Sequence, residues 1–129
     1  MVSDPLFGVP DSMLRSYGLR RNASDSVAYY CVEPGAVMVP VVELRGPTIA
    51  PGVRGLERRR LERVIKHLSR GEPLSAIPLY REPGAALATV LDGVQRLAVL
   101  TALGFQAVWC RYVLRDNAEL FYRYPKGQL

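Results

Sequence analysis

Leu87-Ala88-Thr89-Val90-Leu91-Asp92-Gly93-Val94-Gln95-Arg96-Leu97-Ala98-Val99-Leu100-Thr101-Ala102-Leu103-Gly104 is the stretch that decides the fold of this chain. Leu87 to Leu91 reads as a short strand from its apolar and β-branched content. Asp92-Gly93 breaks the strand, and a helix over Val94 to Leu103 starts at once, with Gly104 as its stop. That helix is apolar nearly all round: Val94, Leu97, Ala98, Val99, Leu100, Ala102 and Leu103. A helix of this kind is packed on most sides. Strand, tight turn and core helix in direct succession predict an α/β (α+β) domain.

The polar residues of that helix, Gln95 and Arg96, fall in its first turn, and Thr101 is the remaining one. A helix N-terminus offers backbone N–H groups and the positive end of its dipole. Gly93 lets a ligand approach the backbone, and Arg96 adds a cation beside it. Asp92, Gly93, Gln95 and Arg96 are therefore the candidate binding residues for an anion or phosphate. The plain structural account of the same residues is a tight turn with Asp92 as a cap and Arg96 paired to a carboxylate.

Upstream, Leu56 to Ser69 carries Leu61, Val64, Ile65 and Leu68 at the i, i+3, i+4, i+7 spacing of one helix face. Arg59, Arg63, Lys66 and Arg70 follow i, i+4, i+7, i+11 on the opposite face, and Gly71 ends the helix. Such a stripe is a solvated face by default, and a phosphate-reading surface for nucleic acid as the sharper reading. It shares no helix with the Gly93–Arg96 turn, so the two are expected to act independently. Glu57 opens this helix near its apolar stripe, which makes it, with Asp92, a candidate catalytic carboxylate; favouring the helix N-terminus is its simpler role. His67, the chain's single histidine, lies on the flank of the helix and is expected at the surface.

Further out, a short helix is predicted from Asp11, as N-cap, to Tyr17. Strands are predicted over Val27–Val32, Val37–Leu44, Ile77–Arg81 and Val108–Leu114. Pro40 places the second of these at an edge or makes it begin late. Gly46 to Gly55 reads as a loop, and the segment from Asn117 as one helical turn. Phe121, Tyr122 and Tyr124, with Tyr112, fit packing of the tail on the core or a dimer contact as well as base stacking.

The 129 residues suit one domain, with 49% apolar and 22% charged residues. No apolar run reaches the roughly 18 residues of a membrane span, and the N-terminus has no secretory pattern. Cys31 and Cys110 form no metal or redox motif. The expectation is a cytoplasmic protein with free thiols, no metal site and no membrane partner. The net charge of +5 rests on 15 arginines and two lysines. Nine basic and three acidic residues lie between Arg45 and Arg81, so that segment alone carries +6.

The order of elements and the Asp92-Gly93-x-x-Arg96 turn resemble the ParB/sulfiredoxin family over roughly residues 37–114. The matching parts are Val39-Pro40-Val41, the helix Leu56–Ser69, Ile77-Pro78-Leu79-Tyr80-Arg81, Val90-Leu91-Asp92-Gly93-Val94-Gln95-Arg96-Leu97, and Val108–Val113. The resemblance implies a small mixed β-sheet with packed helices, preceded by an N-terminal extension (1–36) and followed by a tail (115–129). It implies that Gly93 and Arg96 hold nucleotide phosphates, with Asp92 and Gln95 beside them. A nucleotide of the ATP or CTP type with Mg²⁺ is then the expected ligand, with phosphotransfer, nucleotide hydrolysis or nuclease activity as the chemistry. The alternative is a non-catalytic interaction module that uses the arginine-rich helix to bind nucleic acid or an acidic protein.

Departures from the family narrow this further. Sulfiredoxins carry Cys after the turn glycine and His before the arginine, where this chain has Val94 and Gln95, so sulfinic-acid reductase chemistry is not expected. Partition proteins have Glu and Arg at the same two positions, and Val94 removes that acidic group. The helix-turn-helix domain that follows in partition proteins has no counterpart in these 129 residues, so partition-type DNA reading is not expected either.

Overall fold

The computed structural model describes residues 8–45 and 57–114. The expected loop 46–55 and the turn from Asn117 lie outside them. Helix α2 (Arg58–Ser69) buries Leu61, Val64, Ile65 and Leu68, the four residues of the apolar stripe. It packs on α3 (Val94–Ala102), which buries Val94, Gln95, Ala98, Val99, Leu100 and Ala102. Gly71, at φ +67°, closes α2 in a Schellman arrangement: Glu72 N–H donates to the His67 carbonyl at 3.0 Å and Gly71 N–H to the Leu68 carbonyl at 3.1 Å.

Five strands form one mixed sheet: β1 (Val37–Pro40), β2 (Leu44–Arg45), β3 (Ile77–Tyr80), β4 (Ala88–Val90) and β5 (Ala107–Tyr112). Their order is β1-β5-β3-β4-β2. β1–β5 and β3–β4 are antiparallel, whereas β3–β5 and β2–β4 are parallel. β1 and β2 occupy opposite edges although only Val41–Glu43 separates them. Four Cα steps reach at most about 14 Å, whereas the edges of a flat five-stranded sheet lie about 19 Å apart. The sheet must therefore curl, bringing its edges toward each other. Pro40, at φ −59° and without an N–H, ends β1 on an edge strand, and Val41 N–H turns to the Gln106 carbonyl at 2.8 Å. The single strand expected over Val37–Leu44 is thus split into two by a 3₁₀ turn.

The core lies between the sheet and α2 and α3. Ile65, Ile77, Leu79, Val99, Leu103, Val108 and Cys110 are fully buried within it. Val9, Met13, Leu14 and Leu19 from the N-terminal stretch join the same core. The N-cap of helix α1 (Asp11–Arg15) lies one residue earlier than expected: it is Pro10, and the Asp11 carboxylate instead accepts Arg21 Nε–H at 2.6 Å.

Val27–Val32 forms no strand. Its aromatic residues anchor the chain rather than pair it. The Tyr29 hydroxyl accepts Trp109 N–H at 2.7 Å, and its ring meets Phe105 edge-on at 5.0 Å. Tyr30 O–H donates to the Gly71 carbonyl at 2.8 Å. Burial pushes the Tyr29 phenol well above its usual range. Cys31 and Cys110 are unpaired thiols, and burial pushes that of Cys110 up to about 12. No helix among the described residues is long and apolar enough to cross a membrane.

Candidate functional site

Gly93 is the N-cap of α3 and adopts the left-handed conformation, φ +86° and ψ 26°. A side chain would be strained there whatever its surroundings. The surroundings are also closed: a Cβ on Gly93 would lie 2.8 Å from Arg96 Nη2 and 3.1 Å from its Nε. Arg96 therefore folds back over the glycine. Its Nη1 donates to the carbonyls of Ser75 at 2.8 Å and Ala76 at 3.3 Å, just ahead of β3. Arg96 forms no ion pair among the described residues, and its Nε–H and Nη2 donors make no hydrogen bond there. The Gly-x-x-Arg spacing thus has a physical reading: an arginine one turn into the helix lies across the backbone at a position that carries no Cβ, and a Cβ there would make its guanidinium shift.

Asp92 accepts the Gly93 N–H on Oδ1 at 2.6 Å. Gln95 is 4% exposed, and its Oε1 accepts the Glu57 N–H at 3.1 Å. A buried amide thereby ties the start of α2 to the start of α3. Glu57 is the N-cap residue of α2, and its Oε2 lies 3.4 Å from Arg60 Nε.

A cleft of about 390 Å³ opens between the two helices. One wall is the turn Asp92, Gly93, Gln95 and Arg96; the other is Arg60, Arg63, Val64 and His67 of α2, with Pro73–Ser75 closing the side. The lining residues include three arginines, Arg60, Arg63 and Arg96, and one carboxylate, Asp92. Helical spacing alone assigns Arg63 to a stripe remote from the turn. Once α2 packs on α3, it lines the same cleft as the turn, so this residue borders both regions. Arg59, Lys66 and Arg70 are exposed and lie outside the cleft lining, as does Glu57.

Arg60 and His67 are cleft residues that sequence reasoning does not assign to a site. Their spacing with Arg63, at i, i+3 and i+7, is the available signal: it marks a flank between the apolar stripe and the outer face. His67 is held in place by the helix end. Its ring is 45% exposed, yet Nδ1 is buried without a hydrogen bond and stands 3.6 Å from Glu72 Oε1. Among the described residues no group of three His, Cys, Asp or Glu could hold a metal ion.

No family model and no curated protein matches this chain. Solved structures do. The C-terminally truncated chromosome-partitioning protein ParB from Caulobacter crescentus, complexed with CTP-γ-S, is 21% identical with a TM-score of 0.50; the match covers 67% of this chain and 50% of that one. A free serine kinase in complex with ADP is 18% identical with a TM-score of 0.50, over 65% of this chain and 33% of that one. Sulfiredoxin from Arabidopsis thaliana is 14% identical with a TM-score of 0.53, over 70% of this chain and 100% of that one. The chain spans a third to a half of the first two. It has the ParB/sulfiredoxin-like fold that these proteins share.

Proposed function

We propose that this domain binds a nucleotide or other phosphate-bearing ligand in the cleft between α2 and the N-terminus of α3. One observation carries the reading: Arg60, Arg63 and Arg96 converge on the same cleft as the Asp92–Gly93 turn. The electrostatics there suit an anion, and the N–H groups of a helix start suit phosphate oxygens. A volume of about 390 Å³ is in the range of small-molecule sites. The nucleotide complexes of two proteins with this fold, one with CTP-γ-S and one with ADP, support the same class of ligand. In this reading Arg96 both braces the turn and meets the ligand. Nη1 stays on the Ser75 and Ala76 carbonyls while the remaining donors meet the phosphate. A Mg²⁺ ion accompanying a nucleotide would be held chiefly by the phosphates, with Asp92 as the carboxylate lining the cleft.

A thermal-shift scan with ATP, ADP, AMP, CTP and GTP, with and without Mg²⁺, tests this. A ligand at 100 times its dissociation constant adds about 2.7 kcal/mol. Stabilisation by at least one nucleotide, abolished in Arg63→Glu, is the expected result. No shift with any nucleotide or with pyrophosphate would overturn it.

A second reading rests on the four exposed cations Arg59, Arg63, Lys66 and Arg70 along one helix face. They suit phosphates of a nucleic acid, bound without regard to sequence and strongly weakened by salt.

A further inference from the structure

We propose that His67 is a ligand-contacting residue of this cleft and takes up a proton as a phosphate dianion binds, with Glu72 as the residue that positions it. The inference rests on the binding site proposed above and names a residue and a charge state within it.

The geometry is that of a carboxylate backing a histidine. The Schellman turn brings Glu72 back beside His67, because the Glu72 N–H is bonded to the His67 carbonyl at 3.0 Å. The Glu72 carboxylate then stands 3.6 Å from His67 Nδ1, which is buried and makes no hydrogen bond. With Nδ1 buried in a ring that is 45% exposed, the opposite edge carrying Nε2 is the one open to solvent, and the residue lines the cleft. A proton on Nδ1 would face Glu72. A second, on Nε2, would be a donor to a ligand.

The charges around the ring determine when that second proton binds. Arg60 and Arg63 from its own helix and Arg96 from the α3 turn share the cleft and oppose a further cation. Glu72 at the helix end and Asp92 in the turn favour one. Among the described residues, Arg60 already lies 3.4 Å from the Glu57 carboxylate, and the Asp92 carboxylate already accepts the Gly93 N–H, before a ligand binds. A bound dianion shifts the balance toward a further cation. It neutralises the arginines and adds negative charge within reach of Nε2. Binding and protonation therefore help each other, and by linkage the help is reciprocal. Imidazole is the side chain for which this exchange falls near neutral pH.

The chain has one histidine, so its imidazole can be followed by proton NMR without any substitution. The experiment titrates the full chain from pH 5 to 9 in chloride, then in saturating inorganic sulfate, which has no proton to lose in this range, and then in ADP. The expected result is a His67 midpoint higher by about one pH unit in sulfate and in ADP, which corresponds to anions binding the protonated protein about tenfold more tightly. Glu72→Gln should leave sulfate and ADP able to raise the midpoint, but by less than in the parent, because the ring is no longer positioned by the carboxylate. His67→Gln should bind sulfate more weakly than the parent below pH 6 and remove the pH dependence of sulfate affinity. A midpoint identical in all three media, with sulfate or ADP bound by thermal shift, overturns this inference and leaves the binding site standing. No binding of either anion at any pH overturns both.

Discussion

The two walls of the cleft are built on opposite principles. The α3 wall is committed to structure: Gly93 holds a left-handed turn, Arg96 is clamped to two carbonyls, and Gln95 ties two helix starts together. The α2 wall hangs Arg63 and His67 on a helix whose stability comes from its other face, through Leu61, Val64, Ile65 and Leu68. A short motif visible in sequence can therefore mark the scaffold of a site, while the side chains most free to respond to a ligand sit on a neighbouring helix with no motif. If this contrast is right, substitutions on the α3 wall register first in stability and those on the α2 wall in affinity.

The largest effect is expected at Gly93. Gly93→Ala places a Cβ in the left-handed region, which costs roughly 1–2 kcal/mol. It also drives Arg96 off the Ser75 and Ala76 carbonyls, where hydrogen bonds from a charged donor contribute about 1.5–3 kcal/mol. A combined loss of about 2.5–5 kcal/mol should appear in urea denaturation. A loss under about 0.5 kcal/mol, the scale of an ordinary surface change, would mean that Arg96 is not anchored as described, and the contrast between the walls would fail at its strongest point.

Gln95→Leu comes next. It keeps the volume but removes the acceptor of the Glu57 N–H. An orphaned buried donor costs about 1–3 kcal/mol. Because the bond joins the starts of α2 and α3, hydrogen exchange should accelerate at Glu57 and along the first turn of α2 more than in the sheet. Uniform acceleration would show that Gln95 acts as ordinary core filling and not as a strut.

The legible and illegible parts of the molecule divide along the same line. Periodicity reveals α2 and its buried face because four apolar residues at helical spacing have one physical meaning. Asp92-Gly93 locates the turn, since few residues adopt φ +86°. The strand expected at Val27–Val32 fails because β-branched and aromatic content reports a preference for packing, and Tyr29 and Tyr30 satisfy it through their hydroxyls, one to Trp109 and one to Gly71. Arg60, His67 and the Gln95–Glu57 bond are hidden for another reason. They depend on how α2 sits on α3, and that relation between two separate helices is not written in either one alone.

Arg63→Ala should leave stability within about 0.5 kcal/mol of the parent, because the side chain is exposed and the apolar face of α2 is untouched. Affinity for ADP should fall about tenfold, the worth of one charge-assisted hydrogen bond. Isothermal titration calorimetry gives the second number and urea denaturation the first. A variant that loses stability and affinity in parallel would make the α2 wall structural too.

The smallest effect is expected on the outer face of the same helix. Arg59 and Lys66 are exposed and do not line the cleft. At about 0.15 M salt the Debye length is about 8 Å, so charges beyond the cleft wall act weakly on a ligand inside it. Arg59→Glu with Lys66→Glu should change ADP affinity by less than about twofold, well under the effect of Arg63→Ala. The same pair gives the nucleic-acid reading its own test. If the outer face holds phosphates, oligonucleotide affinity should drop on every sequence, and the log–log salt slope should become shallower by about 0.9 for each phosphate no longer neutralised. Arg63 belongs to both surfaces, so Arg63→Glu should weaken ADP and oligonucleotide together, whereas the outer pair should weaken the oligonucleotide alone. An outer pair that weakens ADP as much as Arg63→Glu would place the phosphate along the exposed stripe, and the cleft would lose its claim to the ligand.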